Sequence, residues 1–111
     1  MIHKNYNVEL KEYTTQRITD VYTVTDNFYL DRLVLSQVIL HPNSGTIGHS
    51  HSDVDEIYFF QFGEGKMLIA EELIIVCAGD IVQVSNNKFH RVFNTGLCDM
   101  VFHTVYNKVE K

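Results

Sequence analysis

Residues 49–63, HSHSDVDEIYFFQFG, decide how this sequence is interpreted. His49 and His51 lie two positions apart, and on a β-strand that spacing directs both imidazoles to one face. Glu56 follows a short polar segment in which the chain can turn back. Two imidazoles and one carboxylate close together form a plausible site for a divalent transition metal. His90, which lies between a polar turn and an apolar strand, is the candidate for a third imidazole.

The sequence on either side of this stretch predicts a series of short strands. Val, Ile, Thr, Tyr and Phe make up well over a third of the chain, and Ala occurs only at positions 70 and 78. Branched and aromatic side chains suit a pleated sheet, whereas a helical protein is rarely so poor in Ala. Turn-forming residues, among them Asp26-Asn27, separate about nine segments, as in a sandwich or barrel. These segments are residues 6–13, 17–24, 28–40, 56–62, 66–70, 73–77, 80–84, 89–93 and 97–106. The predicted fold class is all-β, with antiparallel strands.

Composition and charge exclude several classes of protein. The 111 residues suit a single domain, residues 1–111, and no apolar run approaches the ~20 residues of a membrane-spanning helix. Nine Lys and Arg against fourteen Asp and Glu give a net charge of −5 with no basic cluster, so we expect no nucleic-acid or membrane partner. The N-terminal segment has no apolar stretch typical of a signal peptide. Cys77 and Cys98 are therefore expected to be reduced core thiols of a cytoplasmic protein.

Two segments resemble the signatures of the cupin family. Residues 43–63 contain His49, His51, Glu56 and Gly63 at the spacing of the first signature, and residues 79–94 contain Gly79, His90 and Asn94 at the spacing of the second. The short distance between the two segments resembles that of small, single-domain microbial cupins.

Three positions depart from the family pattern. Asn43 and Asn87 stand where the family usually has Gly, and Ser85 stands where it usually has Pro. Asn is the non-glycine residue that most readily adopts a positive φ, so we expect both turns to persist. Loss of the Pro removes rigidity and no chemical group.

The resemblance implies a double-stranded β-helix, the jelly-roll barrel of cupins, with one divalent transition metal ion inside. The implied ligands are His49, His51, Glu56 and His90. These ligand types are compatible with Mn, Fe, Ni, Zn and Co alike. The first functional hypothesis is a small metalloenzyme of the isomerase or epimerase type, which acts on a small polar metabolite such as a sugar or sugar phosphate. The alternatives are an Fe(II)-dependent dioxygenase and a non-catalytic module that binds a metabolite or metal. Core histidines in a metal-free pocket are a further interpretation.

Strand alternation extends the predicted site beyond the ligands. An inward Glu56 brings Tyr58 inward with it, and alternation from Glu56 and His90 predicts a pocket lined by Phe60, Phe62, Val92 and Asn94. Tyr58 is a candidate catalytic hydroxyl, with core packing as the alternative. His103 on the last strand is a candidate general acid or base, with a surface or interface position as the alternative. Either Ser36 or Gln37 must also face the interior.

Self-association is expected from family analogy. Two-fold dimers are the commonest soluble oligomers, and cupin dimers form by packing or exchanging strands. The N-terminal strands, within about residues 6–24, carry aromatic residues that suit such contacts. The expected partners are a small-molecule substrate or ligand and a second copy of the chain in a homodimer.

Overall fold

The alternation of apolar and polar residues in the sequence becomes an alternation of burial along ten antiparallel strands. The structure, a computed structural model, describes residues 14–27, 32–50, 52–85 and 87–108. These residues contain strands and turns and no helix, which confirms the all-β prediction. The strands are β1 (Thr14–Ile18), β2 (Tyr22–Asn27), β3 (Leu33–Leu40), β4 (Ser44–Gly45), β5 (Glu56–Phe62), β6 (Glu64–Ile69), β7 (Glu72–Cys77), β8 (Ile81–Val84), β9 (His90–Asn94) and β10 (Met100–Asn107).

The strands form two sheets that pack into a jelly roll. The larger sheet has the order β1-β2-β3-β10-β5-β8, and the smaller sheet has the order β4-β9-β6-β7. Apolar side chains from both sheets meet in one core, which includes Leu40, Phe60, Met67, Met100 and Phe102. Burial of this core is the main favourable contribution to folding. Within the described residues there is no helix long and apolar enough to cross a bilayer.

The N-terminal hairpin differs from the predicted strand boundaries. Residues 17–24 are interrupted by a tight turn, in which the Thr19 hydroxyl accepts hydrogen bonds from the backbone N–H groups of Val21 and Tyr22. The sequence predicted a turn at Asp26-Asn27, but both residues lie in β2 and are buried. The first predicted strand, residues 6–13, lies outside the described residues.

A β-bulge changes the orientation of the end of β5. Val101 of β10 pairs with Phe62, whereas the next residue, Phe102, pairs with Phe60, so Gln61 is an extra residue in β5. An extra residue reverses the side-chain alternation beyond it. Phe60, which precedes the extra residue, keeps the regular alternation and is fully buried, whereas Phe62 is 55% exposed rather than inward as predicted.

Two turn predictions are confirmed, and the predicted core position of the cysteines is wrong. Asn43 and Asn87 have φ angles of 57° and 66°, as expected for replacements of Gly in these turns. Cys77 and Cys98 are both exposed free thiols rather than core residues. Cys77 ends β7, where alternation turns Val76 inward and Cys77 outward.

Candidate metal centre

Three predicted ligands converge at one end of the barrel. The ligand atoms of His49, Glu56 and His90 all lie within 4.8 Å of one another. Glu56 begins β5 and His90 begins β9; both are buried, at 8% and 3% exposure, whereas His49 is exposed. The fourth predicted ligand, His51, lies outside the described residues.

Backbone pairing brings the two imidazoles together. His49 and His90 form an isolated antiparallel bridge, in which the N–H of each donates to the carbonyl of the other at 3.2 and 3.0 Å. The ring centroids are 4.5 Å apart in an edge-to-face arrangement. Gly48 permits this close approach, because a Cβ there would lie 2.0 Å from the ring of Phe89. Pairing of two distant segments thus fixes the position of one ligand against the other.

Hydrogen bonds to backbone carbonyls assign the coordinating nitrogens. His90 Nδ1 lies 2.8 Å from the Lys88 carbonyl oxygen, and His49 Nδ1 lies 3.3 Å from that of Ile47. A carbonyl only accepts, so Nδ1 carries the proton in both rings and Nε2 is the nitrogen for coordination. Two such imidazoles and a carboxylate suit a divalent transition metal, so the donor set fits the ion that the family resemblance implies.

The electrostatics of the centre depend on Glu56. Its Oε1 lies 3.1 Å from His90 Nε2. Burial lowers the pKa of His90, but the hydrogen bonds to Glu56 and to the Lys88 carbonyl, with the charge of Glu56, outweigh it and leave this pKa above 6.5. Burial, followed by the charge of Glu56, raises the pKa of Tyr58 well above 10.0. Tyr58 is therefore a protonated hydroxyl, and it donates to Glu56 Oε1 at 3.4 Å.

A cavity of about 380 Å³ opens beside His49 and Glu56. Its volume lies within the range of small-molecule sites, roughly 300–1,000 Å³. Apolar side chains, including Val38 and Phe102, form part of the wall. Besides His49 and Glu56, the polar part of the wall consists of Arg17, Tyr22, Asp26, Ser36, Thr46, Tyr58, Thr104 and Tyr106. Burial and the neighbouring charge of Asp26 raise the pKa of Tyr106, so its hydroxyl is also protonated.

The two predicted catalytic residues lie on different sides of the larger sheet. Tyr58 lines the cavity and contacts Glu56. His103 lies between Phe102 and Thr104, both of which face the cavity, so its side chain projects from the outer face of β10. There its Nε2 lies 3.3 Å from Gln37 Nε2, and partial burial lowers its pKa.

The four residues predicted to line the pocket lie elsewhere. Phe60 and Val92 are buried in the apolar core. The Asn94 amide donates to two backbone carbonyls, each at 2.8 Å, and accepts from the N–H of Gly96 at 2.9 Å, so it holds a turn together. Phe62 is exposed because of the bulge in β5.

Sequence reasoning missed the residues of the far cavity wall. Arg17, Asp26 and Tyr106 were not assigned to the site, and for Ser36 the choice against Gln37 was left open. Ser36 is the inward member of that pair. The available signal was Asp26 in β2 and the alternating Thr104 and Tyr106 in β10, but their meaning depends on the pairing of distant strands.

Comparisons with known proteins agree with this architecture. A family model described as "Cupin domain" matches residues 36–106. A solved structure from Thermotoga maritima, described as a predicted oxalate decarboxylase, is 22% identical, with 94% of this chain and 100% of that chain covered and a TM-score of 0.72. KdgF from a Halomonas species is 11% identical, with 96% and 97% covered and a TM-score of 0.79. A cupin protein from Bacteroides fragilis is 24% identical, with 74% and 73% covered and a TM-score of 0.67. No curated protein sequence matches the chain. At these identities the similarity to the solved structures concerns the fold.

Proposed function

This chain belongs to the cupin family, and from that premise we propose that it is a metal-dependent enzyme of the isomerase or epimerase type acting on a small polyhydroxy metabolite. One observation carries the proposal: the ligand atoms of His49, Glu56 and His90 converge within 4.8 Å beside a cavity of about 380 Å³ whose wall contains hydroxyl, carboxylate and guanidinium groups. A core with merely satisfied histidines would need no such cavity.

His49, Glu56 and His90 would hold the ion, with His51 as the fourth ligand by family resemblance. A divalent Mn, Fe, Ni, Zn or Co ion in this position supplies a Lewis acid that polarises a carbonyl group of the substrate. The Nδ1 hydrogen bonds of His49 and His90 keep both rings in the tautomer that directs Nε2 to the ion. The hydroxyl of Tyr58 orients the carboxylate of Glu56.

Two protonated phenols supply donors for proton transfer. Tyr58 donates to Glu56, and Tyr106 lies opposite Glu56 on the neighbouring strand and lines the same cavity. An isomerase must move a proton between adjacent atoms of its substrate, which requires positioned donors and acceptors near the ion. The outward side chain of His103 is not part of this proposal.

Polar groups in the cavity wall favour this reaction class over a dioxygenase. An apolar lining beside the ion would suit dioxygen chemistry, but Phe60, Phe62 and Val92, the apolar residues predicted to line the pocket, lie in the core or on the surface. Hydroxyl, carboxylate and guanidinium groups instead lie beside the ligands, in a wall that also contains apolar side chains such as Val38 and Phe102. Such groups bind a substrate rich in hydroxyls.

Proton exchange gives a sensitive test of the reaction. Protein loaded with each metal in turn is incubated with aldoses and aldose phosphates in D₂O, and deuterium uptake next to the carbonyl is followed by NMR. We expect exchange by the wild type and by His41→Ala, a matched control whose imidazole pairs with Asp99 outside the site. We expect at least a hundredfold loss in His49→Ala, since even indirect supports of metal sites are worth about 10–100-fold. No exchange or ketose formation with any metal and sugar would overturn the proposal.

We further propose that the protein is a cytoplasmic homodimer. Leu35, Val105 and Ile57 are direct cross-strand neighbours and form an exposed apolar row on the outer face of the larger sheet, which supports packing against a second copy. The exposed free thiols of Cys77 and Cys98 suit a reducing compartment. Light scattering is expected to give a dimer for the wild type and for Ile75→Lys on the smaller sheet, and a monomer for Ile57→Lys. A monomeric wild type would contradict the dimer.

A further inference from the structure

A row of four polar side chains crosses the inner face of the larger sheet. Tyr58 pairs with Thr104, Thr104 pairs with Ser36, and Ser36 pairs with Asp26, so the four lie in register on β5, β10, β3 and β2. Each residue is at most 8% exposed, and all four line the cavity. Three strand spacings separate the ends, a distance of roughly 14 Å. We call these four residues the polar row.

The two ends of the polar row have different partners. At one end the Tyr58 hydroxyl donates to Glu56, a ligand of the candidate metal centre. At the other end Asp26 accepts a hydrogen bond from the Ser36 hydroxyl and pairs with Arg17, whose Nη2 lies 3.4 Å from Asp26 Oδ2. The Arg17 side chain is 63% exposed, so this end also faces the cavity mouth. The row therefore runs from the metal centre to an ion pair.

The charge at the far end selects against an anionic group. Arg17 carries one positive charge, which the carboxylate of Asp26 compensates. The two oxygens of a carboxylate accept about four hydrogen bonds, so Asp26 retains capacity for ligand hydroxyl donors beyond Ser36 and Arg17. A phosphate offers only acceptors and negative charge. Because Asp26 already neutralises Arg17, the phosphate would meet the Asp26 carboxylate as a like charge without an uncompensated cation beside it. Like charges placed together in a binding site cost enough to reject a ligand.

We propose that the polar row is the subsite for the part of the substrate remote from the metal, and that it takes an uncharged, hydroxyl-bearing chain and rejects a terminal phosphate. The inference rests on the proposed function and narrows its substrate class from sugars or sugar phosphates to unphosphorylated sugars and sugar acids. Asp26 is the residue that determines this specificity.

Two ligands that differ only at the remote end provide the test. Gluconate and 6-phosphogluconate share a carboxylate and four hydroxyls, and they differ in a terminal hydroxyl or phosphate. Their binding to protein loaded with Zn²⁺ is measured by calorimetry for the wild type, for Asp26→Asn, and for Asp99→Asn as a matched control on the surface. We expect the wild type and Asp99→Asn to bind gluconate at least about tenfold more tightly, and Asp26→Asn to lose or reverse this preference.

The outcomes separate this inference from the proposed function. Three results would each overturn the subsite. They are equal binding of both ligands by the wild type, no binding of either ligand to metal-loaded protein, and a preference for gluconate that survives Asp26→Asn. The wild-type preference is informative even if Asp26→Asn fails to fold. Zinc content is measured on the same samples. A wild type that retains no zinc refutes the proposed function, whereas bound zinc without ligand preference refutes only the polar row.

Discussion

The hydrogen-bonded pair of His90 and Glu56 predicts how the stability of the metal-free protein changes with pH. Both ring nitrogens of His90 face acceptors, Glu56 Oε1 at 3.1 Å and the Lys88 carbonyl at 2.8 Å. Only an imidazolium can donate to both, because neutral imidazole has one N–H. The folded-state pKa is accordingly raised above 6.5. Because this pKa is higher in the folded state, protonated His90 stabilises the fold fully when the pH is below the unfolded-state pKa. The stabilisation is lost as the pH rises through the folded-state pKa.

The perturbation is Glu56→Gln, which keeps the shape of the side chain and removes its charge. At low pH the substitution replaces a charge-assisted hydrogen bond with a neutral one, at a cost of about 1–2 kcal/mol. At high pH the neutral His90 of the wild type faces two acceptors with one donor, whereas the side-chain amide that the substitution introduces can donate to His90 Nε2. The difference in the free energy of unfolding between wild type and variant is therefore expected to shrink by about 1–3 kcal/mol as the pH rises.

Urea unfolding in the presence of a chelator measures this difference. The chain has no Trp, so far-UV circular dichroism is the suitable signal. Unfolding is measured at about pH 5.5 and at about pH 8.5, on either side of the ordinary pKa of His. The contribution of other titrating groups, such as His103, cancels in the difference between the two proteins. A difference that is constant with pH, or larger at the higher pH, would refute the assigned pairing.

Three further predictions follow from the same contacts. Below the pKa of His90, metal affinity is expected to fall about tenfold per pH unit, since a proton and the ion compete for Nε2; competition with a chromogenic chelator measures this, and a flat profile would contradict it. Gly65→Ala is expected to lower the free energy of unfolding by about 3 kcal/mol or more, because its Cβ would lie 2.1 Å from the Phe93 carbonyl oxygen. Gly96→Ala, with no contact shorter than 3.4 Å, is expected to change this free energy by no more than about 0.5 kcal/mol in thermal melts. Comparable melting temperatures for these two variants would rule out the close approach. Asn94→Ala is expected to lower the free energy of unfolding by about 2–4 kcal/mol, because three hydrogen bonds are lost, and to leave the metal content unchanged. Loss of the metal from folded protein would indicate that Asn94 has a role in the site.

The ligands of the candidate metal centre could be predicted from the sequence because short motifs contain them. His49 and Glu56 lie within one short segment, and His90 was assigned because residues 79–94 resemble the second cupin signature. The turns at Asn43 and Asn87 were also predictable, since their positive φ depends on the chemistry of a single residue. These features need little information from the rest of the chain.

The cavity wall depends on long-range pairing, which the sequence does not express. Asp26 looks like a turn residue, yet it is buried because β2 pairs with β3 and faces it toward the cavity. Phe62 breaks its predicted alternation because a bulge against β10 inserts Gln61. Arg17 joins the site only because β1 folds back on β2. In each case tertiary pairing overrides the local pattern.

Metal content is the most direct test of the central claim. Protein purified without chelators or metal-affinity steps is subjected to elemental analysis, beside His49→Ala, Glu56→Gln and the control His41→Ala. The account predicts one equivalent of a transition metal per chain in the wild type and in His41→Ala, and its loss from the two ligand variants. A folded wild type that contains no metal and retains none after reconstitution would contradict the account.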